Sequence, residues 1–378
     1  MLAVSLLPLS LLNRNASAFF LYWPLALAAL FLAVPAGRPR WVIDRALLWP
    51  VLALYLWGLV SLLWTTALQH AAEVWPVSFG VALLTVVSYG TAATATDEER
   101  RLVTRALVAG FILGFLLYAS EYVTDGAIYR WRYAEDNATA NQASTQASAP
   151  LVLLSLVALM LIAVLPRWLR WLPALGVLVL SVLFRHWAGV IGLVAAAPIW
   201  GLAVVWPRQA RRLWVPLLLA FLVVVPFLGP LLQAFTPAEA DWKPRELLTR
   251  EQMWRAGADL MLEKPLFGWG FAASKNLPQP EEVSLREGKR ILSNHPHNAP
   301  LQLGLELGVV GILLGGWFLF RLHQRLQSPV AQALLMYILV QAAISAGLWP
   351  SRWLSMACVG VVLYRLVAPA PVPARPSS

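Results

Sequence analysis

His295 and His297 stand two residues apart in Asn294-His295-Pro296-His297-Asn298, where a long polar stretch runs into an apolar segment. The chain has His 5 in all, and the other three, His70, His186 and His323, are scattered. A histidine at such a junction can take or give a proton near neutral pH. Asn298, followed by Ala299-Pro300, is a helix start whose unpaired N–H groups favour an anion. Two arginines, Arg250 and Arg185, add fixed charge. Two guanidinium groups and a helix N-terminus suit a doubly charged phosphate group, with a nearby histidine as base toward a hydroxyl. His297 and His295 compete for that role, and both also fit a bland reading as polar residues capping a helix at an interface.

The elements that must position these residues lie in membrane. A chain of 378 residues that is 59% hydrophobic and 13% charged, with Trp 19, is too apolar for a soluble domain. Its apolar runs approach the length of about 20 residues that a helix needs to cross a bilayer. Spans are expected near 16–35, 46–64, 74–95, 102–123, 149–166, 168–185, 187–206, 211–232, 299–320, 329–348 and 353–368. Residues 1–12 lack the basic start and cleavage site of a secretion signal and are read as a further span. The expected fold is therefore all-α and polytopic, with about twelve transmembrane helices. Arginines at 38, 40 and 45, at 100, 101 and 105, at 167 and 170, at 208, 211 and 212, at 321 and 325, and at 365 and 375 fall on alternate turns. By the positive-inside rule these turns and both termini face the cytoplasm. His297, Arg250 and Arg185 then share the opposite face.

The net charge of +10 accordingly calls for no nucleic acid, since basic turns facing anionic lipid account for it. Cys358 is the chain's one cysteine, so no internal disulfide or thiolate cluster can form, and the outer turns carry no Asp-x-Asp and no His/Cys ligand set. The chain divides into spans over 1–232, a large outer loop over 233–297, and spans with a short cytoplasmic tail over 298–378. Within the loop, 244–264 reads as an amphipathic helix, with Pro244 in its first turn and Glu246/Arg250 and Glu251/Arg255 as favourable i,i+4 pairs. On it Arg250, Trp254, Gly257 and Met261 share a face, although Arg250 paired with Glu246 at the surface is the alternative.

Further candidates are less specific. Arg185 lies between two spans with almost no loop, where it is either functional or snorkels to the interface. Glu306 is eight residues past Asn298, roughly 12 Å along a straight helix, where a carboxylate must pair or be neutral. An arginine, Arg185 among them, is its expected partner. Gly304, Gly308, Gly311 and Gly315 have the spacing that lets another helix pack close. Tyr129-Arg130-Trp131-Arg132-Tyr133 is either a sugar platform or an interfacial aromatic belt, and Arg352 is a candidate contact to phosphate or sugar.

Taken together, Arg250-Glu251-Gln252-Met253-Trp254, Pro265-Leu266-Phe267-Gly268-Trp269-Gly270 and His297-Asn298 with Leu301, Glu306, Gly308 and Gly311 resemble the O-antigen ligase and polymerase superfamily. Ser61-Leu62-Leu63-Trp64 and Arg185 extend the likeness, but Phe184 and His186-Trp187 flank Arg185 where the family commonly has Ser-Arg and a small residue. The resemblance implies a membrane-embedded glycosyltransferase of the C type in the bacterial inner membrane, with its active site on the periplasmic side and no cofactor. It implies a glycan donor on undecaprenyl pyrophosphate, a lipid A-core acceptor, and inverting transfer without metal. His297, Arg250 and Arg185 would be catalytic, while His295, Asn298, Glu306, Arg352, Trp254, Arg130 and Arg132 would bind substrate. The ligase is the favoured member, and a polymerase or oligosaccharyltransferase shares the motifs. A lipid-linked glycan transporter is the reading of another class, disfavoured because the spans are nearly free of charge and show no clear repeat.

Overall fold

The computed structural model describes residues 42–127, 130, 140–235, 245–277, 295–349 and 351–367. Among them the regular structure is helical, with no strand. In chain order the helices are α1 Arg45–Val60, α2 Leu68–Ala92, α3 Asp97–Val123, α4 Ala140–Val164, α5 Leu172–Leu183 and α6 Trp187–Val205. They continue with α7 Pro207–Val223, α8 Leu228–Phe235, α9 Arg245–Glu263, α10 Ala299–Arg325, α11 Pro329–Ile344 and α12 Ser351–Val367. In lipid no water can satisfy a bare backbone, so long apolar runs settle as helices. Their starts are written locally. Thr96 and Glu99 form a reciprocal capping box at α3, and Ser328 caps α11 ahead of Pro329.

Each expected span within the described residues coincides with a helix. By length and composition five are long and apolar enough to cross a bilayer, with α10 taken whole, or six if α7 and the segment Val225–Phe235, bent by 41° at the break, count as one. Pro150–Val164, Leu172–Leu183, Pro329–Ile344 and Trp353–Val367 are shorter apolar helices. The chain is thus an all-α, multi-pass membrane protein, and about twelve spans are not reached among the described residues. The expected spans at 1–12 and 16–35 lie outside them.

The chain packs as two compact units, one of residues 1–44, 84–187 and 356–378, the other of residues 45–83 and 188–355. In the first, α3, α4 and α5 pack together, and residues 150–162 of α4 are buried throughout. Arg100 in this unit gathers helix-end carbonyls, donating to Arg365 and Leu366 at 3.0 Å each. In the second unit α10 packs on α1, α7 and α9. Its core joins Met253, Trp254, Ala258 and Met261 of α9 to Leu301 and Leu305 of α10.

One expected span departs from a simple rod. Helix α10 is interrupted at Gly308, whose φ of 65° and ψ of −163° are not helical. Beyond the break the chain folds back. A methyl placed on Gly315 would lie 2.6 Å from Leu303 Cδ2, and one on Gly311 would lie 3.2 Å from the Leu303 carbonyl oxygen. In a straight helix those pairs would stand roughly 18 and 12 Å apart. The segment expected as one span over 299–320 is therefore an arm, 299–307, doubled against a longer arm, 309–325. Of the glycines expected to admit a neighbouring helix, Gly304 takes Met261 of α9, whereas Gly311 and Gly315 take the chain's own first arm.

Gly308 tolerates no side chain. Its φ is in the left-handed region, and a methyl there would meet the Leu266 carbonyl oxygen at 2.3 Å. Gly308→Ala is expected to lower stability by at least about 2 kcal/mol. Gly201 has nothing within 4 Å of such a methyl, so Gly201→Ala should leave the melting temperature equal or raise it. Melting of both variants in detergent checks the contrast.

Candidate functional site

The corner singled out by the two histidines is assembled from α9, the turn 295–298, the first arm of α10 and the C-terminal end of α11, all in one unit. The α9 face expected from Arg250, Trp254, Gly257 and Met261 packs on that arm. Gly257 faces Leu301, and Met261 lies over Gly304. Trp254 is buried and donates from Nε1 to the Pro296 carbonyl at 2.8 Å, so it supports the turn that carries the histidines. Asn298 is also buried. Its Oδ1 accepts from Leu301 N–H at 3.0 Å, and its Nδ2 donates to the Val225 carbonyl at 2.9 Å. It both caps the arm and ties it to the α7–α8 bend.

His297 is held in the left-handed region, at φ 52°. A residue with a side chain there costs about 1 kcal/mol, so the surrounding contacts must impose it. Its Nδ1 lies 2.8 Å from the Ser345 carbonyl oxygen. A carbonyl only accepts, so Nδ1 carries the proton and the neutral ring presents its lone pair at Nε2. Arg250 donates from Nη1 to the next carbonyl back, Ile344. These are end carbonyls of α11, the groups a helix leaves without an internal partner. Arg250 and His297 are thus registered by one helix terminus.

His295 and His297 stack obliquely, with ring centroids 4.4 Å apart at 51°. Burial lowers the pKa of His297 below the usual 6.5, and the Arg250 charge lowers it further, against the Ser345 hydrogen bond that raises it. His295 is pushed down to about 4 by burial, then by the His297 and Arg250 charges. Both rings are consequently neutral at physiological pH. His295 seats on Gly347, where a methyl would come within 2.5 Å of its Cδ2.

Glu306 is fully buried and meets neutral donors in place of the expected arginine. Its carboxylate accepts from Ala272 N–H at 2.8 Å, Ser274 Oγ at 2.6 Å, Ser274 N–H at 3.4 Å and Gln302 Nε2 at 3.0 Å, as well as from Trp349 Nε1. Glu306 lies in the last turn of the first arm, two residues before the Gly308 break. Gln302 extends the network by accepting from Leu348 N–H at 2.7 Å. The Pro265–Gly270 turn braces the same place. Trp269 and Gly270 N–H donate to the Leu305 and Glu306 carbonyls at 2.9 and 2.8 Å, and Val309 N–H donates to the Pro265 carbonyl at 2.8 Å. Trp57 Nε1 reaches the Leu307 carbonyl at 3.1 Å.

Arg185 belongs to the other compact unit. It also has a positive φ, 53°, at the C′ position of α5, where glycine is usual. Its N–H donates to Val182 O at 3.0 Å and His186 N–H donates to Ser181 O at 2.7 Å, a Schellman pattern with the arginine side chain exposed. Phe184 before it is buried between Tyr118 and Tyr122, with ring centroids 6.2 and 5.6 Å away. Arg130, in the same unit, donates to the Asp125 and Thr124 carbonyls and so closes the end of α3. Arg352 lies in the first turn of α12, and Arg132 lies outside the described residues. Gln302, Ser274 and Trp349 escaped the reading of the sequence, because neutral polar residues in apolar segments carry no charge signal. The paired glycines at 268 and 270 were the one local hint that the backbone approached something closely.

Fold and site together define a multi-pass helical membrane protein with a His/Arg corner on a doubled-back helix. Residues 187–316 match the family model described as O-antigen ligase. A Rickettsia conorii protein named "Putative polysaccharide ligase" is 26% identical over 125 residues, covering 30% of this chain and 30% of that protein. A similarly named Rickettsia bellii protein is 25% identical over 226 residues, covering 57% of this chain and 54% of its own length. A third, from Rickettsia typhi, is 38% identical over 65 residues, 16% of each. The chain therefore spans between 16% and 54% of the length of these relatives. Over residues 187–316 the chain is similar to the O-antigen ligase family. Arg250, His297, Glu306 and Gly308 fall inside the matched segment, and Arg185 falls just before it.

Trp254→Phe removes the indole N–H with its one buried hydrogen bond and leaves a small void, which together should cost about 2 kcal/mol. Glu306→Leu strands several buried donors and should cost about 3 kcal/mol or more. Thermal unfolding followed by tryptophan fluorescence should rank Glu306→Leu below Trp254→Phe.

Proposed function

We propose that this protein is a polysaccharide ligase that transfers a glycan from undecaprenyl pyrophosphate to a sugar hydroxyl of a lipid A core. Transfer takes place at the periplasmic face of a bacterial inner membrane. The observation that carries the reading is the state of His297, whose Nδ1–H is committed to Ser345 while Nε2 keeps a basic lone pair beside Arg250. In the proposed step the acceptor oxygen attacks the anomeric carbon from the face opposite the pyrophosphate, giving inversion. The hydroxyl proton passes to His297 Nε2. The carbon–oxygen bond to pyrophosphate breaks, and its electron pair leaves on the phosphate oxygen. Arg250 meets the charge that develops there, with the N-terminus of the arm opened by Asn298. A fixed cation would fill the role a divalent metal fills in other transferases. His295 lies next to the base and shapes its environment. The printed names of the relatives support the ligase over a transporter.

The test is reconstitution of purified protein with undecaprenyl-pyrophosphate glycan and rough-type lipopolysaccharide, in excess EDTA. Glycan-bearing lipopolysaccharide, formed only when acceptor is present, is the expected product. Lengthened lipid-linked chains made without acceptor would mean a polymerase, and no product in either tube would sink transfer altogether. His297→Ala and Arg250→Lys should each lower kcat by at least about a hundredfold while the protein stays folded. The sign of the pH dependence follows from the lowered pKa of His297, which loses its basic lone pair only below the usual 6.5. Activity should hold from neutral pH down past that point and fall in more acid buffer. An acid limb centred above pH 7 would count against His297 as base.

A further inference from the structure

The turn that braces the Gly308 break exposes apolar side chains. Leu266 is 62% exposed and Phe267 55%, next to Leu262 at 60% and Leu63 at 86%. Single exposed apolar residues need no explanation, but a contiguous patch marks an interaction surface. This patch continues onto a face already assigned to membrane. Val309, whose N–H donates to Pro265, is 43% exposed, and Leu313, one turn along the same arm, is 67% exposed. The Phe267 ring lies 5.7 Å from that of Trp57 on α1.

Height can be counted from the basic helix ends. Val309 is twelve residues from Arg321, and Trp57 is twelve from Arg45. At 1.5 Å per residue both stand about 18 Å above their arginines. The hydrocarbon core is about 30 Å thick, and helix tilt only lowers the figure. Both points adjoin the turn, Val309 by its hydrogen bond to Pro265 and Trp57 by its ring contact with Phe267, while Trp57 also donates to Leu307 of the first arm. Two separate helices therefore place the turn short of the far surface, within hydrocarbon.

Non-helical backbone at that depth is tolerated only where it packs against protein with its polar groups paired, and the Leu266 and Phe267 backbone lies directly against Gly308. Here the Gly268, Trp269 and Gly270 N–H groups donate to Lys264, Leu305 and Glu306, and the Pro265 and Leu266 carbonyls accept from Val309 and Val310. The ammonium of Lys264, at the edge of the patch, lies over the Trp269 ring at 3.8 Å from its centroid. We propose that the Pro265–Gly270 turn is a lipid-facing re-entrant element, with Leu266 and Phe267 set among acyl chains of the leaflet nearer His297. The inference stands apart from the glycan-transfer reading, since it concerns where the turn sits and not what the site does.

The test uses single-cysteine variants on a Cys358→Ala background, spin-labelled at Leu266→Cys or Phe267→Cys and reconstituted in phosphatidylethanolamine/phosphatidylglycerol nanodiscs. Collisional relaxation by oxygen and by a water-soluble nickel chelate is compared with Leu313→Cys, a lipid-facing reference, and Lys275→Cys, an exposed reference outside the spans. The labels at 266 and 267 should follow position 313, favouring oxygen over nickel by several-fold. Behaviour like that of position 275 would overturn the proposal. Should the cysteine variants fail to fold, unmodified protein treated with a bilayer-partitioned diazirine serves instead. Carbene adducts within 265–270 support the turn's immersion, and their absence while 309–317 is labelled refutes it.

Discussion

A helix that stops inside an apolar segment leaves carbonyls that hydrocarbon cannot satisfy, and this constraint organises the second unit of the protein. At Gly308 the backbone leaves the helical region, and the carbonyls of Leu305, Glu306 and Leu307 are answered by Trp269, Gly270 and Trp57. The side chain of Glu306 collects donors from the segment just beyond, at Ala272 and Ser274, and from Trp349 near the start of α12. A buried carboxylate with several good donors is worth keeping only if all of them stay in place, so the arm, the turn and the α11–α12 connection are registered together. Loss of the break would release all three.

That registration reaches the histidines. The same arm that ends at Glu306 begins at Asn298, and its first turn is fixed by the Asn298 cap and by Leu301 set against Gly257. The turn ahead of it is pulled to α9 by the Trp254–Pro296 hydrogen bond and to the end of α11 by the His297–Ser345 contact. A left-handed histidine is a strained choice unless both neighbours of its peptide are pinned, and here they are. The consequence is chemical. One tautomer of His297 is selected, and burial with Arg250 nearby keeps it neutral.

Much of this was legible in the residues. Apolar runs with arginines on alternate turns announce a helical membrane protein, because transfer into lipid depends on composition summed over a span. The α9 face, the Asn298 cap and the His/Arg corner follow from local periodicity and capping chemistry. Another reading failed for reasons that are equally physical. A buried Glu306 suggests an ion pair with an arginine, yet four neutral partners satisfy it, Gln302 one turn back on the same arm and three brought from distant segments, and no local pattern encodes those three. Arg130 stands in a run that fits either a sugar platform or an interfacial belt, and its guanidinium bonds to the carbonyls at the end of α3, a partner no local pattern names.

The sequence by itself thus determined the class of protein, the helices, and which residue types stand at the corner, since each depends on neighbours within a turn or two along the chain. The doubling back at Gly308 was decided only in the tertiary structure. An apolar segment of 27 residues reads as one long rod, and what folds it is the close approach of Leu266 to a backbone that can bear no methyl group. The selection of the His297 tautomer was likewise decided by a carbonyl 48 residues away in the chain. Hydrogen bonds between remote segments depend on where whole helices end in space, and that is a property of the packed molecule.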